Sequence, residues 1–368
     1  MILKPERFIK NGEIDISKEE WIVLNNNHSK EEVIELLHTL VESFYMPMPL
    51  RAISKEEAIE DFKNLCSLDS TKTIQDGPFY SRYPYQYKYL DKYVETSSTG
   101  NRSSDYFHQY SRFLCDSINA PSPYRTWTIR KFRTGLFNSL WTLKCKEVNF
   151  RVLRGCIGLR KYIAAQFRPS AAKALYEYFN SENVLDFSSG WGDRLAGFHA
   201  AKCTKSYIGI DPNARLMKGY KAQCEFYNTG KECKFIESPA EEVDFSIYSD
   251  KFDTIFTSPP YFIVERYTSE GNQSWKRYKK IDDWKEKFLY AVLEKITPTL
   301  KKDGYLIVNI SDVYCNHTIN KICDDMNRKI ESLGYTYVGG MGYRMNKRPN
   351  SKAGGVGIFA EPIWIWKK

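Results

Sequence analysis

The stretch Val184-Leu-Asp-Phe-Ser-Ser-Gly-Trp-Gly-Asp193 runs from apolar strand residues into a glycine turn and then into the helical Arg194-Leu-Ala-Gly-Phe-His-Ala200. Here the chain changes character. From about residue 184 onward, short apolar runs alternate with helical stretches. Strands are predicted over Val184 to Phe187, Ser206 to Ile210, Lys234 to Ile236, Phe252 to Phe256, Tyr305 to Ile310, Tyr335 to Gly339 and Val356 to Trp366. Helices between the first five imply right-handed crossovers and a parallel sheet, while the last two strands, joined without an obvious helix, are expected to pair antiparallel. In such a sheet ligands collect beyond the carboxyl ends of the strands, so chemistry-bearing residues should follow strands directly.

Three motifs do so. In the first, Gly190 and Gly192 let the backbone approach a ligand, and Asp186 at the strand end suits a cationic amino group. In the second, Tyr207-Ile-Gly-Ile-Asp-Pro-Asn213, Asp211 ends the next strand, twenty-five residues after Asp186. A carboxylate there accepts hydrogen bonds from the two hydroxyls of a ribose, or caps the following helix; both roles are compatible. In the third, Phe252-Asp-Thr-Ile-Phe-Thr-Ser-Pro-Pro-Tyr-Phe262, a strand empties into Ser258-Pro259-Pro260-Tyr261. Two prolines stiffen the backbone and remove two N–H donors, leaving carbonyl oxygens and a hydroxyl as acceptors beside an aromatic ring. Such a turn suits an amino group on a flat, stackable ring.

In this order, the three motifs resemble the amino-methylating DNA methyltransferases that use S-adenosylmethionine. The resemblance runs from about Gln166 to the C-terminus. It implies a Rossmann-like class I methyltransferase fold of the α/β class: a seven-stranded, mostly parallel sheet with an antiparallel last strand, preceded by a largely helical N-terminal region. Carried over, Ser258, Pro259, Pro260 and Tyr261 are the catalytic set, and Phe167, Asp186, Ser188, Gly190, Gly192, Asp211 and Glu241 the cofactor-binding set. Phe167 lies in Gln166-Phe-Arg-Pro-Ser-Ala-Ala-Lys173, like the segment that holds the methionine end of the cofactor, and Glu241 stands where the adenine is met. Phe187-Ser188-Ser189 departs from the commoner wording before the glycines. The resemblance also implies a base flipped from duplex DNA, with RNA open as the polymer and a companion restriction endonuclease among the expected partners. Serine at 258 leans toward cytosine N4, adenine N6 being the alternative. Methylation at cytosine C5 needs a cysteine nucleophile that usually follows proline, and no Pro-Cys dipeptide occurs.

Composition is ordinary for a soluble globular chain. The 368 residues are 42% hydrophobic and 27% charged, which excludes a short peptide module and a disordered chain. They are expected to divide into a nucleic-acid-binding region over 1–155 and a methyltransferase domain over 156–368. No apolar run of membrane-spanning length exists, and Lys4, Glu6, Arg7 and Lys10 interrupt the start, so no membrane and a cytoplasmic location are expected. The nine cysteines (66, 115, 145, 156, 203, 224, 233, 315, 323) and five histidines (28, 38, 108, 199, 317) show no ligand spacing, so free thiols and no metal are expected.

The net charge of +9 is local. Between Pro121 and Lys173 twelve Lys or Arg face one acid, Glu147, interleaved with Tyr124, Trp127, Phe132, Phe137, Trp141 and Phe150. Arg125, Arg130, Lys131, Arg133, Lys144, Arg151 and Arg154 are the candidate phosphate contacts; the same pattern also fits solvated helix faces over an aromatic core. Other candidates for reading the target are Glu265 to Trp284 and Arg344 to Lys352. The tyrosine-rich Phe79 to Tyr93 offers either a base-stacking platform or loop packing. Two capping boxes, Ser29 with Glu32 and Ser54 with Glu57, predict N-terminal helices.

Overall fold

The computed structural model describes residues 4–160, 163–347 and 354–368. They form two compact units: Met1–Ala52 with Arg112–Ala164, and Ile53–Ser111 with Ala165–Lys368. This differs from a division near residue 155. The segment 53–111 joins the second unit because it supplies strands to the large sheet.

The first unit is built on helices Lys18–Asn27, Lys30–Ser43, Arg130–Thr142 and Phe150–Arg160, with a small ribbon of Ile9–Lys10, Glu13–Ile16 and Val148–Asn149. The Ser29–Glu32 capping box forms as read, and Ser17 with Glu20 forms another that opens the first helix. Apolar residues at helical spacing, among them Val33, Leu37 and Leu40, close a core with Trp21, Trp127, Phe137 and Leu153.

The second unit holds a ten-stranded sheet: β1 (Ile74–Asp76), β2 (Phe79–Tyr80), β3 (Tyr89–Val94), β4 (Asn183–Asp186), β5 (Ser206–Asp211), β6 (Glu232–Glu237), β7 (Phe252–Thr257), β8 (Leu300–Asn309), β9 (Thr336–Arg344) and β10 (Ile358–Lys367). Their order is β6-β5-β4-β7-β8-β10-β9-β3-β1, with β2 beside β10. All seven strands read from the sequence are present. Strands β4 to β8 run parallel, and β10 is antiparallel to both β8 and β9. The seven-stranded expectation is corrected by β3 and β1, which extend the sheet beyond β9, and by β2 beside β10; all three lie in the region expected to be largely helical. The tyrosines there are used in packing: Tyr85 meets Trp364 edge-on at 5.1 Å, Tyr89 stacks on Phe79 at 4.2 Å, and Tyr87 donates to Glu331 at 3.0 Å.

From β4 the chain passes to β5 on one side and later returns to β7 on the other. This is the switch point, and it brings the carboxyl ends of β4, β5 and β7 side by side. Among the described residues no helix is long and apolar enough to cross a membrane.

Candidate active site

The glycine turn after β4 is held from both sides. Ser189 N–H donates to the Ile210 carbonyl at 2.9 Å, and Gly190 N–H to Asp211 Oδ2 at 3.0 Å. Gly190 and Gly192 have φ of +59° and +72°, in the left-handed region. A Cβ on Gly192 would lie 2.3 Å from Gln223 Oε1, so only glycine fits there.

Asp186 does not have the role expected of it. Its side chain is fully buried and bound by Arg194 Nε at 2.7 Å, Arg194 Nη2 at 3.2 Å, the Tyr207 hydroxyl at 2.8 Å and Ser188 N–H at 3.2 Å. Four donors fill a carboxylate that accepts about four. Asp186 therefore locks the helix after the turn to the sheet and has no capacity left for a ligand's ammonium. The Ser188 carbonyl also accepts from Arg194.

Asp211 is different. Oδ1 accepts Asn213 N–H at 2.9 Å and Oδ2 accepts Gly190 N–H, which leaves one lone pair on each oxygen for a diol. Burial pushes its pKa up to about 7, against the lowering effect of these two N–H groups. Glu241 follows β6. Its Oε1 accepts from Arg277 Nη1 at 2.9 Å and the Tyr278 hydroxyl at 3.0 Å, while its buried Oε2 has no partner among the described residues. Phe167 is stacked on Tyr343 at 4.7 Å and set edge-on to Phe256 at 5.3 Å.

Beyond β7, Ser258 and Tyr261 come together. Phe262 N–H returns to the Pro260 carbonyl at 2.9 Å and Val264 N–H to that of Tyr261 at 3.1 Å, fixing the turn; Pro259 is buried. The Tyr261 phenol donates to the carboxylate of Glu361 on β10. Burial holds Glu361 at a pKa of about 7, and Glu265 adds to the rise. Glu361 was not legible as a site residue: it lies one hundred residues beyond Tyr261 in an apolar strand. A lone acid in Ile358-Phe-Ala-Glu-Pro-Ile-Trp-Ile-Trp366 is the only signal it leaves. The insertion over 265–284, read as a target-recognition candidate, bonds to the cofactor side of the site, through Asn272 Nδ2 to the Pro212 carbonyl at 2.7 Å as well as through Arg277 and Tyr278. Residues 348–352 of the Arg344 to Lys352 candidate lie outside the described residues.

Residues 252–368 match the family model described as DNA methylase, the N6/N4 type. Over this segment the chain is similar to the amino-methylating DNA methylases. The matched segment takes in the Ser-Pro-Pro-Tyr turn, β8 and the β9–β10 pair with Glu361. No curated protein sequence matches the chain. Among solved structures, a putative S-adenosylmethionine-dependent methyltransferase of Listeria monocytogenes is 12% identical over 52% of this chain and 91% of its own, with a TM-score of 0.35. A Burkholderia thailandensis 1,6-didemethyltoxoflavin N1-methyltransferase, solved with its substrate and S-adenosylhomocysteine, is 15% identical over 54% of this chain and 76% of its own, with a TM-score of 0.35.

The basic set in the first unit is only partly available. Arg133 is buried, bonded to His38 Nδ1 at 3.1 Å and the Trp127 carbonyl at 2.8 Å and paired with Glu42. It is a core residue and no phosphate contact. Arg130 is divided between Glu35 and Glu42, and Arg125 pairs with Asp116 at 2.5 Å. Lys131, Lys144, Arg151 and Arg154 are exposed. The acids that neutralise these three arginines, Glu35, Glu42 and Asp116, lie outside the basic stretch from Pro121 to Lys173.

Proposed function

We propose that this protein transfers a methyl group from S-adenosylmethionine to the exocyclic amine of a base flipped out of DNA, cytosine N4 by preference. The observation that carries the reading is the Ser258-Pro-Pro-Tyr261 turn at the end of β7, beside the strand ends that hold the glycine turn and Asp211. Neighbouring strands are about 4.8 Å apart, so β5 and β7, on either side of β4, place the two halves of the site about 10 Å apart.

The residues fit the cofactor. Asp211 keeps one lone pair per oxygen for the ribose hydroxyls, and the unpartnered Glu241 Oε2 offers an acceptor for the adenine amine. The positive-φ glycines leave the backbone open to the ligand. Bound there, S-adenosylmethionine supplies an electrophilic methyl on a sulfonium.

The exocyclic amine is a weak nucleophile because its lone pair is delocalised into the ring. Ser258 Oγ and the Pro259 carbonyl accept its hydrogens, which localises that lone pair. An ionised Glu361 can only accept, so Tyr261 O–H points at it, and the phenol oxygen keeps lone pairs able to accept from the Ser258 hydroxyl when the base is bound. The lone pairs of Ser258 Oγ are then left for the amine. No covalent intermediate with the enzyme is required.

Transfer of tritiated methyl to DNA, followed by nucleoside mass spectrometry, tests the reading and names the base and atom. N4-methylcytosine is expected; N6-methyladenine would shift the base assignment, and label in RNA alone would change the polymer. No transfer to any nucleic acid, with cofactor bound, would leave a nucleic-acid-binding protein of the same fold.

A further inference from the structure

Within the sheet unit, three ligand-type side chains converge from three elements. His199 closes helix Asp193–Ala200, Cys224 lies in helix Ala214–Tyr227, and Cys233 lies in β6. Their donor atoms all fall within 4.8 Å of one another. His199 Nε2 is 3.3 Å from Cys224 Sγ and 3.5 Å from Cys233 Sγ. In a tetrahedral zinc site, bond lengths near 2.0–2.1 Å to nitrogen and 2.3 Å to sulfur give an N···S edge of about 3.6 Å. The observed spacings match that edge without any movement of the backbone.

We propose that His199, Cys224 and Cys233 form a binding site for a thiophilic divalent cation, zinc by its donor set. The imidazole is oriented for it. Nδ1 is 2.6 Å from Thr229 Oγ1, and donation of Nδ1–H to that hydroxyl leaves the Nε2 lone pair facing both sulfurs. Without a cation the set is poorly matched, since two thiols share one imidazole lone pair. Two sulfurs and a nitrogen suit zinc, whereas calcium and magnesium take oxygen ligands. The neighbouring ammonium of Lys231 does not compete: it is held by the carbonyls of Phe198, His199 and Ala201 and by the Thr204 hydroxyl. Cys224 and Cys233 are only half-buried, so water can take the fourth position. Binding releases the two thiol protons to solvent and gives a neutral site.

This proposal departs from the expectation of no metal. The ligands stand 25 and 9 residues apart, a spacing that resembles no zinc motif, and only the pairing of β6 with β5 and the two helices bring them together. The cation would pin the helices that follow the glycine turn and Asp211, with no part in methyl transfer.

The test uses the untagged full chain. Elemental analysis after gel filtration is expected to give about one zinc per chain, and Co(II) titration of chelator-stripped, reduced protein to give thiolate-to-cobalt charge-transfer absorption with tetrahedral ligand-field bands. Cys224→Ser, Cys233→Ser and His199→Ala should each lose that spectrum, and Cys66→Ser should retain it. Thr229→Val should weaken zinc roughly 10- to 100-fold, as for other groups that orient a ligand. The wild-type titration decides even if a variant misfolds. Reduced wild-type protein with no charge-transfer band would overturn the proposal, and so would peptide mapping that finds a Cys224–Cys233 disulfide in its place.

Discussion

At the scale of single residues, the site is governed by where burial puts protons. Glu361 has a pKa raised from 4.5 to about 7, so its neutral form suits the fold. The resulting stability is complete below about pH 4.5 and is lost as pH rises through about 7; thermal melts of wild type and Glu361→Gln should diverge over that window, with the glutamine variant the flatter. Catalysis has the opposite preference, because only the ionised Glu361 enforces the direction of the Tyr261 bond. Single-turnover rates should therefore rise with pH through about 7. Tyr261→Phe should remove that rise and lower kcat while cofactor affinity is kept. Ser258→Ala takes away an acceptor aimed at developing charge and is expected to cost roughly 10²–10³ in kcat. Asp211 is similarly raised to about 7, yet must be ionised to accept from a ribose. Calorimetry should show S-adenosylmethionine affinity falling about tenfold per pH unit below that value, and Asp211→Asn should bind weakly at every pH. Unchanged affinity in that variant would defeat the ribose assignment.

At the scale of elements, the insertion over 265–284 is tied to the cofactor side by Arg277, Tyr278 and Asn272. Arg277→Ala should raise the cofactor dissociation constant more than it alters the preference for DNA sequence, a split that steady-state kinetics on two substrates measures. In the first unit, Arg133 joins helix Arg130–Thr142 to helix Lys30–Ser43 through Glu42 and His38. Arg133→Ala should destabilise on the order of 2 kcal/mol in urea melts, less than a fully buried pair because Glu42 is half-exposed. The seven principal strands and the capping boxes were legible because periodicity and caps act over a few residues. Strands β1 to β3 were not, since such short segments become strands only when a neighbouring strand is offered to them.

At the scale of the whole molecule, the charge that matters for nucleic acid is what remains after pairing. Lys131, Lys144, Arg151 and Arg154 are the exposed part of the set. Replacing Lys131, Arg151 and Arg154 by glutamine should reduce the salt slope of DNA binding by about one for each phosphate contact removed, while Arg130→Gln should change it little. A gel shift at several salt concentrations checks both. A wild-type protein whose DNA binding ignored salt would point instead to a small-molecule substrate.

The amino-acid sequence by itself determined the strand–turn–helix alternation, the three motifs that end strands, and hence the family resemblance of the C-terminal segment, because each of these is written in contiguous residues. Tertiary structure alone decided which carboxylates are available: Asp186 is spent on Arg194 and Tyr207, Asp211 is not, and Glu361 is brought to Tyr261 across the sheet. It also decided which arginines are neutralised and that His199, Cys224 and Cys233 meet. The physical reason is common to all of these. Hydrogen bonds, ion pairs and ligand geometry act over a few ångströms in space, and residues far apart in the chain reach that distance only when the sheet has formed.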